Sequence, residues 1–253
     1  MKVFSICGYS DSGKTTTAER LIRELEARGY KVGSIKEIHY EGFALDNDPA
    51  GDTSRHRMAG ASLVTARGLF ETDVLFPGKL DAMKILSFYG GFDYVLCESV
   101  RELPVPMIVT AASLEDLDKN WNDFVFCVSG KIADEIREHK GVPAISALAD
   151  AVALADMVER TVYDMLPNVA SVACGLCGSD CRRMGIKMLR GEASREDCVA
   201  GSGPEVYIGD TRIALVPFVQ KALNGVVTGF VKELKGYQES AEIVIKIKQQ
   251  NHD

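Results

Sequence analysis

Eight residues near the start of the chain, Gly8-Tyr9-Ser10-Asp11-Ser12-Gly13-Lys14-Thr15, have the spacing G-x-x-x-x-G-K-[ST] of a phosphate-binding loop. Glycines in such a loop let backbone N–H groups turn inward and meet phosphate oxygens at the positive end of the next helix. The expected nucleotide contacts are Gly8, Ser10, Asp11, Ser12, Gly13, Lys14, Thr15 and Thr16. Lys14 would set an ammonium against the β- and γ-phosphates, and the Thr15 hydroxyl would ligate Mg²⁺. The rival reading is a chance Gly/Ser-rich turn. It leaves unexplained the apolar run before the motif (Val3, Phe4, Ile6, Cys7) and the helical pattern after it. The residues predict a site for a nucleoside triphosphate.

A phosphate loop needs an acid for Mg²⁺ on a neighbouring strand. Asp93 and Glu98 bracket the apolar run Tyr94 to Cys97. Only the carboxyl end of a parallel strand faces the phosphates, which selects Glu98. The polar, Gly/Pro-punctuated stretch from Asp46 to Ala61 reads as a switch-like loop. Asp52 in it would meet Mg²⁺ directly or through water. Lys14, Thr15, Asp52 and Glu98 form the candidate catalytic set. Arg55 and Arg57 would offset charge on a transferred phosphoryl group, although arginines on an exposed helix face are common. His39 and His56 read by default as surface residues. Asp11 puts a negative charge beside phosphates, and either an outward orientation or a metal contact would account for it. The Asn-Lys-x-Asp base-reading motif is absent. Ser129-Gly130-Lys131 stands where a base could lie, but a strand–helix turn explains it equally well. The residues themselves do not separate GTP from ATP.

Four of the seven cysteines fall within 25 residues: Cys174, Cys177, Cys181 and Cys198, spaced C-x2-C-x3-C-x16-C. Four thiolates in one loop and one short helix can converge on a metal centre. Zinc favours paired C-x2-C knuckles, whereas a third cysteine after a short gap is closer to iron–sulfur ligation. Zinc remains the lesser alternative. Cys7, Cys97 and Cys127 each sit in an apolar run and read as small buried hydrophobes.

The elements that must position these residues follow from hydrophobic periodicity. Strands are expected at 2–7, 32–35, 62–66, 94–97, 106–110 and 124–128, the last three nearly continuous in apolar character, as in a parallel sheet buried on both faces. Helices are expected at 14–28, 53–60, 78–88, 131–138 and 148–165. This alternation predicts an α/β fold: a three-layer P-loop NTPase with a mainly parallel sheet. The character changes after Pro167. A short basic helix (Arg182 to Arg190), a hairpin around Gly209-Asp210, a helix over 218–235 and a strand at 243–247 suggest a small C-terminal α+β domain. Residues 1–167 would form the nucleotide-binding domain and 168–253 the four-cysteine domain.

The 253 residues are 46% hydrophobic and carry a net charge of -7, so no broad basic face is expected and nucleic acid is a poor partner. No apolar run approaches membrane-spanning length, which predicts no membrane association and a cytoplasmic location. In that compartment thiols stay reduced, and disulfides are not expected.

Gly8 to Thr17, Ile35-Lys36, Asp46 through Pro49, Asp52, Arg55, Ala59-Gly60-Ala61 and Glu98 together resemble the molybdopterin-guanine dinucleotide biosynthesis protein B (MobB) family over about the first 165 residues. The chain reads Asp48-Pro49-Ala50-Gly51-Asp52, with one extra residue between Pro49 and Gly51. It departs from the pattern at Glu37-Ile38-His39-Tyr40-Glu41, where relatives tend to be His-rich, and at Ser99, which replaces a glycine. The resemblance implies a guanine-nucleotide-binding accessory protein that assists attachment of GMP to molybdopterin, with weak GTPase activity. Implied partners are GTP, Mg²⁺, molybdopterin, a molybdenum or tungsten enzyme or its maturation proteins, and a second copy in a homodimer. Cys174 to Cys198 resembles the [4Fe-4S] domain of corrinoid and carbon-monoxide-dehydrogenase/acetyl-CoA-synthase proteins, with one residue fewer between the second and third cysteines. Two other readings stand beside this one. An ATP-driven Fe–S electron-transfer or metallochaperone protein is the main alternative. A small-molecule kinase would need an Arg-rich lid.

Overall fold

In a computed structural model of the chain, the structure describes residues 1–40, 48, 50–167, 177–198, 204, 206–208, 211–213, 215, 217–239 and 243–245. The elements in chain order are β1 (Lys2–Cys7), α1 (Lys14–Ala27), β2 (Val32–Lys36), α2 (Asp52–Met58), β3 (Val64–Arg67), β4 (Thr72–Leu75), α3 (Ala82–Leu86), β5 (Tyr94–Glu98) and β6 (Met107–Thr110). They continue with α4 (Leu114–Lys119), β7 (Val125–Ser129), β8 (Glu138–His139), β9 (Val142–Pro143), α5 (Ala151–Thr161), α6 (Cys181–Leu189), β10 (Val206–Ile208), β11 (Thr211–Ile213) and α7 (Pro217–Lys232).

Five strands form a wholly parallel sheet in the order β2-β5-β1-β6-β7. The period of two along each strand sends alternate side chains to opposite faces. Phe4, Ile6 and Leu96 pack with Leu21 and Leu25 of α1 and Leu154 of α5. Val3, Val95 and Cys97 pack with Ala82 and Leu86 of α3, while Cys7, Val109 and Leu117 of α4 share a third cluster on that side. Both faces are therefore covered, as a parallel sheet requires, and the expected α/β fold with a mainly parallel sheet is found. Such layering places β1 at the centre, with the phosphate loop at its carboxyl end and the ends of β5 and β6 on either side.

Several local expectations differ from the structure. The segment at 62–66 does not join the central sheet: β3 pairs antiparallel with β4 as a separate hairpin that leaves Leu69 and Phe70 exposed at its tip. The helix expected at 131–138 is a 3₁₀ turn at Lys131–Asp134, followed by the small β8–β9 hairpin. Lys140 and Gly141 both adopt positive φ there, the backbone that a tight hairpin needs. Ile132 and Ala133 are buried as the helical pattern would have them, but the turn reverses before Ile136 can extend a helix. Helix α4 was missed, although Ser113, whose Oγ accepts from the Asp116 amide at 3.2 Å, marks its start. The pairing of β10 with β11 gives the expected hairpin, whose turn at Gly209-Asp210 lies outside the described residues. Of the strand expected at 243–247, residues 243–245 carry no strand and the rest lie outside the described residues.

Helix α6 packs against the α/β body. Ile186 and Leu189 of α6 pack on its core clusters, Arg190 meets Asp123 at 3.3 Å, and the Arg182 guanidinium lies 5.0 Å from the Phe124 ring centre. No helix among the described residues is long and apolar enough to cross a membrane.

Candidate functional site

The β1 strand runs directly into the loop, and α1 begins at Lys14. Gly13, at φ 99°, starts the helix without any side-chain cap, and no acid stands in its first turn. The amides of a first helical turn have no intrahelical acceptors, so this end is open to an anion. Gly8 is enforced by packing: a Cβ there would lie 2.2 Å from the Thr110 carbonyl oxygen and 2.7 Å from Ser12 Oγ. Ser12 and Thr110 share a buried hydroxyl–hydroxyl bond of 2.7 Å that ties the loop to the end of β6. On its other flank the loop touches the turn after β7, where the Lys131 amide donates to the Ser12 carbonyl at 3.2 Å.

The expected pair at the head of the helix is brought together. Thr15 Oγ1 donates to Glu98 Oε1 at 2.8 Å. Glu98 ends β5 and is 7% exposed, whereas Asp93, at the other end of that strand, accepts from the Lys31 amide at 2.8 Å. Lys14 Nζ donates to the Tyr9 carbonyl at 2.6 Å. Burial lowers the pKa of this ammonium, Glu98 opposes that shift, and Lys36 and Arg101 add to it. Two further cations thus act on the site. Lys36 ends β2 beside Glu98 at 3.1 Å, and Arg101 is held by Asn120 Oδ1 at 2.7 Å. The sequence reading gave neither a role. Lys36 ends β2 and Arg101 follows β5, and only the strand order β2-β5-β1 brings both toward the loop.

The other candidates are placed as follows. Asp11 is exposed at φ 60°, a left-handed backbone that Asp tolerates better than most residues. Ser10 and Thr16 are exposed on the loop and the first helical turn. Asp52 opens α2, is 88% exposed and pairs with Arg55 at 3.3 Å. Arg57 donates to Ser54 Oγ at 3.1 Å, and His39 and His56 are exposed. Residues 41–47 and Pro49 of the switch-like stretch lie outside the described residues. Ser129 is fully buried, and its Oγ has no hydrogen-bond partner among the described residues.

Ser99, one residue past Glu98, sits at φ 67° with its amide bonded to the Ile6 carbonyl at 2.9 Å. The backbone after the acid is left-handed, a conformation that costs a non-glycine residue about 1–2 kcal/mol. Ser99→Gly should relieve most of this against a more flexible unfolded chain. A rise of about 2 °C in the unfolding midpoint is expected by calorimetry, and a fall would contradict the strain.

Cys177, Cys181 and Cys198 enter one apolar cluster with Leu166 and Met184, while Cys174 lies outside the described residues. Cys177 Sγ donates to the Ser179 carbonyl at 3.4 Å. Beside them the Tyr163 hydroxyl is buried without a hydrogen-bond partner among the described residues, and burial with Cys181 nearby raises its pKa. Among the described residues no three His, Cys, Asp or Glu side chains are gathered to hold a metal ion. Cys7, Cys97 and Cys127 are fully buried free thiols whose pKa values burial pushes up.

Residues 3–122 match the family described as molybdopterin guanine dinucleotide synthesis protein B (MobB). The chain is 27% identical to a putative molybdopterin-guanine dinucleotide biosynthesis adapter protein of Methanocaldococcus jannaschii, across 98% of this chain and 97% of that one. It is 24% identical to a probable adapter protein of the same description from Bacillus subtilis, across 57% of this chain and 85% of the other. The crystal structure of Bacillus subtilis MobB superposes with a TM-score of 0.54 at 23% identity, covering 65% of this chain and all of that one. That superposition establishes a shared fold.

Proposed function

We propose that this chain, whose residues 3–122 match MobB, is a GTP-binding adapter protein in the biosynthesis of molybdopterin guanine dinucleotide. One observation carries the reading: an uncapped helix start after a phosphate loop, closed by the Thr15–Glu98 hydrogen bond of 2.8 Å. The near full-length similarity to an adapter protein of that pathway supports the pathway assignment.

In this reading Lys14 and the amides from Gly8 to Thr16 hold the phosphates. Thr15 and Glu98 supply a hydroxyl and a carboxylate, hard oxygen donors that fit Mg²⁺, with phosphate oxygens and water completing the set. The ion would neutralise charge between the β- and γ-phosphates. Burial of Glu98 keeps the carboxylate away from bulk water and aimed at Thr15. Lys14 and Arg101 supply positive charge around the phosphates, and Asp52 links the switch-like segment to the site. Ser129, Gly130 and Lys131 would border the base, because the turn after β7 lies against the loop, with the Lys131 amide bonded to the Ser12 carbonyl at 3.2 Å. Slow hydrolysis belongs to the same reading.

The same proposal gives residues 168–253 a [4Fe-4S] cluster on Cys174, Cys177, Cys181 and Cys198. The gathering of three of these thiols with Leu166 and Met184 supports it, but they do not converge on a common ion in this arrangement, so no step is routed through the cluster. A homodimer with molybdopterin or a molybdenum or tungsten enzyme as client completes the proposal. The exposed Leu69 and Phe70 are consistent with a protein contact.

Calorimetric titration of GTP and ATP with Mg²⁺ into anaerobically purified protein tests both parts when iron and sulfide are assayed on the same sample. GTP should bind at least about tenfold more tightly than ATP, or about 1.4 kcal/mol, with roughly four irons per chain. Equal binding or an ATP preference rejects the guanine reading and favours the ATP-driven redox alternative. Zinc without sulfide rejects the iron–sulfur assignment.

A further inference from the structure

Glu98 is enclosed at the end of β5, and a carboxylate so placed requires compensation. Lys36 provides it. Its Nζ lies 3.1 Å from Glu98 Oε1 and donates to Thr15 Oγ1 at 3.4 Å, while Thr15 donates to the same Glu98 oxygen. The ammonium therefore touches both oxygens assigned above to Mg²⁺. A monovalent and a divalent cation cannot share two ligands at that distance without strong mutual repulsion.

We infer that Lys36 is a resident counter-ion of the metal-ligand pair, neutralising Glu98 while no divalent cation is bound and leaving when Mg²⁺ enters. This rests on the reading of Thr15 and Glu98 as the metal ligands. The backbone is built for side-chain motion alone: Lys36 pairs in register with Glu98, and the Glu37 amide donates to the Glu98 carbonyl at 2.9 Å. The lysine side chain is 54% exposed, so its stem can swing without moving β2. A nucleotide phosphate offers the displaced ammonium a new anion. Metal and nucleotide binding thereby become coupled: each favours the state in which Lys36 has left Glu98. Mg²⁺ alone must instead compete with a cation already in place.

Mn²⁺ titration followed by electron paramagnetic resonance tests this on nucleotide-free protein. Lys36→Met, of similar length without charge, should bind Mn²⁺ about tenfold more tightly than the unaltered protein, and Glu98→Gln should lose the site. In parallel, about 10 mM MgCl₂ should raise the melting temperature of Lys36→Met by about 3 °C over a sodium chloride control of equal ionic strength, and leave the unaltered protein unmoved. An ion pair with only a structural role would lower stability in Lys36→Met without any recovery by Mg²⁺. Should Lys36→Met not fold, Lys36→Gln, which keeps a donor to Glu98, carries the same comparison. Mn²⁺ affinity that depends on Glu98 but not on Lys36 overturns the counter-ion role and leaves the metal site standing. Absence of any Glu98-dependent Mn²⁺ binding overturns the metal reading as well.

Discussion

Lys14→Ala is expected to abolish measurable nucleotide binding, weakening it by about two to three orders of magnitude, while the fold survives. Hydrogen bonds to charged groups contribute about 1.5–3 kcal/mol each, and one ammonium reaching two phosphates makes more than one such contact. Nothing comparable is lost from the folded protein. Among the described residues the Lys14 ammonium bonds only to the Tyr9 carbonyl, and burial with the neighbouring Lys36 and Arg101 disfavours its charged form. Alanine is also the best helix former, at the first position of α1. The melting temperature should therefore stay within about 2 °C of the unaltered protein or rise. Calorimetric titration beside a thermal melt separates the two effects. Retained GTP affinity would remove Lys14 from the phosphate site, whereas a large drop in melting temperature would mean that it holds the fold.

The second large effect runs the other way. Gly8→Ala should cost about 3–6 kcal/mol of stability, lowering the unfolding midpoint by roughly 10 °C, because its methyl group has no room. The Thr110 carbonyl oxygen, at 2.2 Å, belongs to backbone that two neighbouring strands hold in register, so it cannot retreat like a flexible side chain. Movement of Ser12 or Thr110 would break their buried 2.7 Å bond, leaving Thr110 its longer 3.4 Å bond to the Cys7 carbonyl and Ser12 Oγ without a partner among the described residues. Gly90→Ala is the control: that glycine has φ -55° and no atom within 4 Å of an added Cβ, so its effect should lie within about 0.5 kcal/mol. Equal stability of the two variants in urea unfolding would refute the packing argument.

The contrast between these residues shows what the sequence can reveal. Gly8, Lys14 and Thr15 are legible because their geometry is local: a strand, a turn and a helix start in consecutive positions. Glu98 is legible at one remove, since only one acid stands at the carboxyl end of an apolar strand. Thr110, Lys36 and Arg101 were not, because their relation to the loop depends on which strands become neighbours, and no pattern within a strand states the order β2-β5-β1-β6-β7. Apolar spacing also misleads where the chain is short of length. Val64 to Ala66 alternates like a sheet strand yet forms a hairpin, and Ile132-Ala133 buries two residues as a helix would within a single turn. The cysteine spacing is plain in the sequence, but the metal depends on distances among side chains that spacing does not encode.

Because β1 is flanked by β5 and β6, the eight-residue motif is not a portable module. The links that complete it span 83 residues from Thr15 to Glu98 and 98 residues from Ser12 to Thr110. Closing loops of that length carries an entropy cost that no contact inside the motif can offset. An excised peptide from β1 through α1 would keep every residue of the phosphate-loop signature and possess neither the buried acid nor the hydroxyl that anchors the loop. The parallel pairing thus makes the proposed nucleotide site a property of the completed sheet, acquired only when distant parts of the chain have met.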